Sequence, residues 1–141
     1  MLYCRNCKKW ANKKSHKCNI NSLISLTKNM LPIATILDSN LGLPVASAFC
    51  LTDKHNLVEA GVYFKYLYPE VILQDLPTGW AWTDYITIEH NALCSCLVYE
   101  YVYTGTMSLK EYTTSVINDL IIYLASKDKD GLRAIILLSD S

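Results

Sequence analysis

Four potential metal ligands near the N-terminus constrain this chain more than any other feature of its sequence. Cys4 and Cys7 form a C-x2-C pair, and His16 and Cys18 form an H-x-C pair after an eight-residue spacer. A C-x2-C turn places two thiolates on one side of a tight knuckle, and the second pair fills the two remaining tetrahedral positions. This closed set favours structural zinc over metal-assisted hydrolysis. We therefore predict a zinc knuckle over residues 1–20, in which Zn²⁺ supplies the folding energy of a segment that has no core of its own.

The same segment is basic, whereas the rest of the chain is acidic. The whole chain has 13 Lys and Arg residues and 13 Asp and Glu residues, but residues 1–20 contain six of the basic residues and none of the acidic ones. We assign partner or nucleic-acid binding to a basic arm that consists of Arg5, Lys8, Lys9, Trp10, Lys13, Lys14 and Lys17. Its cations suit a phosphate backbone and its indole suits base stacking. A solvated face, or docking on an acidic protein surface, explains the arm equally well.

Composition and cysteine usage indicate a cytoplasmic protein with no membrane segment. The longest apolar stretch, Leu120–Ala125, is far shorter than a membrane-spanning helix, and no apolar run follows the N-terminal charges as in a secretory signal. In a reducing compartment, clustered cysteines favour metal binding over disulfides. The chain is 51% apolar and only 18% charged, which favours a surface buried in a homodimer.

Residues 21–141 are predicted to form one α+β domain. The expected order is a helix, a hairpin, a helix, an edge strand, two long strands, a helix and a final strand. The predicted bounds are helix 19–29, strands 33–37 and 45–51, helix 52–68, strand 70–74, strands 80–89 and 93–104, a helix from Ser108 to residue 124, and strand 132–138. Ser108 and Glu111 form a capping box at the start of the last helix. We therefore expect an antiparallel sheet layered with helices.

The predicted hairpin resembles the signature of the roadblock (dynein light chain roadblock) superfamily. The resemblance is carried by an acidic turn followed by Gly-x-Pro-Val-Ala-Ser, here Asp38 and Gly42–Ser47. It implies a roadblock-like or profilin-like α-β-β-α-β-β-β-α domain, to which this chain adds the zinc knuckle and the C-terminal strand. The turn is one residue longer than the usual pattern.

The resemblance implies a function without an active site. Roadblock domains form dimers that serve as scaffolds or regulate small GTPases and larger complexes. We therefore predict a non-enzymatic, dimeric scaffold or regulatory protein with a basic, zinc-binding arm. The alternative is a small nucleic-acid-binding regulator, of viral or archaeal type, that uses the basic knuckle.

Other residues give weaker signals for chemistry. His90, Cys94 and Cys96 share strand parity and are candidates for a second metal site, although cysteines on a buried strand more often act as small hydrophobic residues. The Tyr99–Tyr103 ladder is suited to base stacking but is more often packed beneath a helix. His55 has no identifiable catalytic partner and Cys50 has no histidine beside it, so we predict no catalytic residues.

Overall fold

In the part of the chain that the structure describes, strands with alternating apolar residues form one seven-stranded sheet. The computed structural model describes residues 1–12, 16–88 and 91–139. The strands are β1 (Leu2–Cys4), β2 (Lys9–Ala11), β3 (Leu23–Leu26), β4 (Val45–Thr52), β5 (Leu57–Phe64), β6 (Trp80–Thr87) and β7 (Ala92–Val102). They are arranged in the order β2-β1-β3-β4-β5-β7-β6. Only β3 and β4 pair in parallel; the other neighbours are antiparallel.

Three α-helices accompany the sheet in the described residues. They are α1 (Leu31–Thr35), which continues as a π-helical turn over Ile36–Asn40, α2 (Leu109–Ala125) and α3 (Lys129–Ser139), with short 3₁₀ turns at Ile20–Ser22, Lys28–Met30 and Glu70–Leu73. None of the helices in the described part of the chain has both the length and the apolar character that a membrane crossing requires.

The hydrophobic core lies on one face of the sheet. Val58, Val62 and Phe64 of β5 are fully buried and belong to one cluster with Leu120 and Leu124 of α2. Because strand residues alternate between faces, the residues between them point away from the helices. We call this second side of strands β4 to β7 the outer sheet face.

The strongest local signals in the sequence are confirmed. The Ser108 hydroxyl accepts a hydrogen bond from the backbone N–H of Glu111 at 3.1 Å and caps α2 as expected. Strands β4, β6 and β7 lie within a few residues of their predicted positions. Gly42 has a φ of +68°, which glycine adopts without strain, and the chain turns there from the helical segment into β4, not between two strands as predicted.

Two predictions around this turn are wrong. Residues 19–29 are not a helix: they contain β3, in which Ile24 and Leu26 alternate with exposed Ser25. Residues 33–37 are not a strand, because Pro32 lies in the first turn of α1 and starts a helix rather than ending one. The turn at Gly42 therefore joins a helix to β4, and the predicted hairpin is replaced by the pairing of β4 with β5.

Three further elements differ from prediction. Residues 52–68 contain β5 instead of a helix, Glu70–Leu73 is a 3₁₀ turn instead of an edge strand, and the C-terminal strand is helix α3. In α3, the buried Leu132 and the half-buried Ile135 and Ile136 follow helical spacing and pack against the core. The fold is thus mixed α+β, in the order β-β-β-α-β-β-β-β-α-α.

Candidate metal centre

The C-x2-C motif forms the tight turn between β1 and β2. Cys4 ends β1, and its thiol accepts a hydrogen bond from the backbone N–H of Cys7 at 3.4 Å. The backbone N–H of Lys8 donates to the carbonyl of Cys4 at 2.8 Å, and Lys8 has a φ of +56°. The hydrogen-bonded turn orients the thiols of Cys4 and Cys7 toward one point, as predicted from their spacing.

His16 and Cys18 return to the same point before the chain enters β3. The ligand atoms of Cys4, Cys7, His16 and Cys18 all lie within 4.8 Å of one another. The Cys7 Sγ atom is 3.4 Å from Cys18 Sγ and 3.8 Å from His16 Nε2. Cys4 is the buried member of this cluster, whereas Cys7 is exposed. The structure thus brings together all four residues predicted as ligands, in an arrangement compatible with one metal ion.

The environment of the cluster favours a thiolate at Cys4. The hydrogen bond from the Cys7 backbone N–H is the main cause that lowers the pKa of Cys4 to about 6. The pKa of Cys18 is raised to about 11, chiefly by its hydrogen bond with the Cys7 side chain. Such a cluster suits a cation, because the Cys4 thiolate can bind it first and the bound cation then stabilises the neighbouring thiols in their deprotonated form.

Arg5 connects the β1–β2 turn to the body of the protein. Its guanidinium donates to the carbonyl of Val45 at 2.8 Å and lies 3.3 Å from the carboxylate of Asp38. Its backbone N–H donates to the carbonyl of Ser22 at 2.9 Å. The Arg5 side chain is only 19% exposed. Arg5, predicted as part of the basic arm, is therefore engaged within the protein and holds the turn against the α1–β4 connection.

The other residues of the basic arm have different environments. Lys8, Lys9 and Lys17 are exposed around the cluster. Trp10 is half-buried and contacts Tyr3 edge to face, with 5.4 Å between the ring centroids. Lys13 and Lys14 lie outside the described residues. In the described part of the arm, the exposed cationic surface therefore consists of three lysines, and the indole is used in packing.

The weaker candidates take structural positions. Cys94 and Cys96 are 2% exposed, and the Cys94 thiol donates to the carbonyl of Lys65 at 3.3 Å. His90 lies outside the described residues, so the second metal site stays a hypothesis. Burial raises the pKa of Cys50 to about 11. The Asp53 carboxylate accepts hydrogen bonds from the backbone N–H groups of Leu57, at the start of β5, and of His55, and these bonds lower its pKa.

The tyrosine ladder packs against α2, as the favoured interpretation predicts. Tyr99 contacts Trp80, with 5.4 Å between the ring centroids, and its hydroxyl is hydrogen-bonded to that of Tyr112 on α2. Tyr103 stacks on Tyr112 at 4.1 Å. The contacts of Tyr99 and Tyr103 with Tyr112 hold α2 against the sheet.

Sequence reasoning missed two features that bear on function. The first is the anchoring role of Arg5, which depends on a contact 40 residues away in sequence. The second is the outer sheet face, where Phe49, Gly61, Val98 and Ala81 form one row across four strands. Reading residues 57–64 as a strand would have revealed this face from the alternation alone.

Comparison of the chain with protein-family models, with curated proteins and with solved structures gives no match.

Proposed function

We propose that this chain is a zinc-binding, non-enzymatic scaffold protein of the cytoplasm that acts as a homodimer. In this proposal the zinc ion is structural: it closes the N-terminal hairpin and fixes it to the edge of the sheet. The observation that carries the proposal is the convergence of three thiols and one imidazole on the turn that Arg5 anchors. A closed set of four protein ligands leaves no coordination position for a substrate, which supports a structural role over a catalytic one.

The donor atoms of the cluster support zinc over harder cations. Tetrahedral zinc bonds of about 2.3 Å to sulfur and about 2.0 Å to nitrogen separate two sulfur ligands by about 3.8 Å and a sulfur and a nitrogen ligand by about 3.5 Å. The Cys7–Cys18 distance of 3.4 Å and the Cys7–His16 distance of 3.8 Å differ from these separations by about 0.3–0.4 Å, so the support for zinc comes mainly from the sulfur and nitrogen donors. Magnesium and calcium prefer oxygen ligands, which this cluster lacks.

Metal analysis of the purified chain tests the zinc centre. The parent protein should contain about one zinc ion per chain, and Cys7→Ser should lose most of it. Cys50→Ala is the matched control, because Cys50 is a buried free cysteine of β4 that belongs to neither candidate ligand set. A parent protein without zinc, or a Cys7→Ser variant that keeps it, would contradict the proposed function.

The dimeric part of the proposal rests on composition and on the outer sheet face. Leu51 and Val102 are 57% and 54% exposed on that face. The roadblock resemblance at Gly42–Ser47 adds regulation of a small GTPase or of a larger complex as the role of such a dimer. Sedimentation or light scattering of the zinc-bound chain tests this part: at about 100 µM, roughly a hundredfold above a micromolar Kd, the proposal requires a mass of twice 16.0 kDa.

Nucleic-acid binding through the basic arm is the second candidate function. It is favoured by the exposure of Lys8, Lys9 and Lys17 around the cluster. If it is correct, the triple Lys→Ala variant should lose a salt-dependent complex with a generic oligonucleotide, since each phosphate contact contributes to the salt dependence. A parent protein that binds no oligonucleotide at low salt would exclude this candidate.

A further inference from the structure

The outer sheet face has the composition of a buried surface. An antiparallel sheet with one solvated face normally places polar residues there. Here Phe49, Leu51, Tyr63, Val98 and Val102 point outward from the central strands, whereas the apolar sides of the helices belong to the core on the opposite face. This face therefore differs from an ordinary solvent-exposed sheet surface.

Gly61 makes the centre of this face flat. A Cβ atom at Gly61 would lie 2.7 Å from Cε1 of Phe49 and 2.9 Å from Cε2 of Tyr63. The two rings are stacked with their centroids 6.0 Å apart and therefore lie down over the glycine instead of projecting into solvent. Cys96, beside Tyr63 in the sheet, is covered to 2% exposure. A flat apolar surface of this kind suits another sheet, which packs at a distance of about 10 Å.

We propose that the outer sheet face is the interface of a two-fold dimer in which two copies of this chain pack face to face. The inference rests on the dimeric scaffold proposed above and names the surface that forms it. Four strands of about eight residues cover about 19 by 26 Å, or about 500 Å² in projection. The accessible area of a side-chain surface exceeds its projection, so the face approaches the roughly 800 Å² per partner of a standard interface.

The charges on this face favour a second copy of the chain over a polyanion as its binding partner. They also favour one orientation of the two copies over another. Strands β4 to β7 contain no lysine, arginine or histidine, and the charged residues on their outer side are Glu59 and Glu100, which are direct cross-strand neighbours. Such a surface repels nucleic acid. A two-fold axis along the strands would place the carboxylates of the two copies together, which is unfavourable.

An axis along the row of Gly61 and Val98 avoids this repulsion. Glu59 and Tyr63 lie on either side of Gly61 along β5, and this axis places Glu59 of one copy opposite Tyr63 of the other. A phenol hydroxyl is a suitable donor to a carboxylate. The central row then packs on itself, and the flat rings over Gly61 together with the small Ala81 allow close approach of the two sheets.

Light scattering of three zinc-loaded proteins tests the inference. The double variant Leu51→Lys/Ala81→Lys places charges at two exposed positions of the outer face and should raise the dimer dissociation constant at least tenfold, giving a monomer at micromolar concentration. The control Ile122→Lys adds a lysine at a position of α2 that is 70% exposed and should remain a dimer. Unchanged near-ultraviolet circular dichroism and zinc content establish that each variant is folded, and Val102→Lys replaces the double variant if it is not.

The outcomes separate this inference from the proposed function. A dimer that persists in Leu51→Lys/Ala81→Lys overturns the outer face as the interface but leaves the dimeric scaffold standing. A monomeric parent protein at 100 µM, a concentration chosen to be roughly a hundredfold above a micromolar Kd, overturns both. Loss of the dimer only in the outer-face variants supports the inference.

Discussion

The anchoring role of Arg5 can be tested by removing its side chain. Arg5→Ala deletes the hydrogen bond to the Val45 carbonyl and leaves Asp38 without its ion-pair partner. A hydrogen bond from a charged donor contributes about 1.5–3 kcal/mol. The Arg5 and Asp38 side chains are 19% and 17% exposed, so their ion pair is neither fully exposed nor fully buried. Its loss should lower the free energy of unfolding by about 1 kcal/mol more.

One contribution opposes these losses. In the part of the chain that the structure describes, the buried Nε atom of Arg5 has no hydrogen-bond partner, and removing it relieves a penalty of about 1 kcal/mol. We therefore expect Arg5→Ala to lower the free energy of unfolding by about 1.5–3 kcal/mol. With a urea m-value of about 2 kcal/mol/M, the transition midpoint should fall by about 0.8–1.5 M.

Urea unfolding at saturating zinc, followed by circular dichroism, measures this difference. Lys9→Ala is the matched control, because it removes an exposed cation from the same hairpin and should change stability by less than about 0.5 kcal/mol. If the two variants have the same midpoint, the claim that Arg5 anchors the β1–β2 turn is refuted.

Three further predictions follow from local contacts. Ser108→Ala removes the N-cap of α2 and should cost about 1 kcal/mol in urea unfolding; no loss would show that the cap is dispensable. Gly61→Ala places a Cβ atom 2.7 Å from the Phe49 ring and should cost about 1–3 kcal/mol in thermal unfolding, so an unchanged melting temperature would contradict the flat packing of the rings. The pKa of Asp53 lies below its ordinary value of 3.8, mainly because of the Leu57 N–H, so its ionised form is stabilising above that pH. The parent protein should therefore be more stable than Asp53→Asn at pH 7, and this difference should disappear as the pH falls below 3.8 through the folded-state pKa. A stability difference that grows in acid would refute the stabilising role of the Asp53 carboxylate.

Local sequence signals predicted the clustering of Cys4, Cys7, His16 and Cys18 and the start of α2. The spacing of Cys4 and Cys7 and the Ser108 cap are properties of a few consecutive residues, and such short-range geometry survives in almost any fold. The positive φ at Gly42 was predictable for the same reason, because glycine adopts it without strain, whereas the two elements that the turn joins were not.

Elements defined by distant pairing were not predictable in the same way. Leu57, Val58 and Val62 fit both helical and strand periods, and the pairing of β5 with β4 and β7 decides between them. Residues 33–37 form a short apolar run, for which periodicity does not distinguish a helix from a strand. For α3 a local signal was present but overlooked: the Asp128 carboxylate accepts a hydrogen bond from the N–H of Gly131 at 3.0 Å, as a helix N-cap does.

X-ray absorption at the zinc edge of the purified, zinc-loaded chain tests the central claim most directly. The account predicts a four-coordinate ion with three sulfur ligands at about 2.3 Å and one nitrogen ligand at about 2.0 Å. In Cys7→Ser, one sulfur contribution should be lost from whatever zinc remains. A spectrum dominated by oxygen ligands, or one with fewer than three sulfur ligands in the parent protein, would contradict the zinc centre formed by Cys4, Cys7, His16 and Cys18.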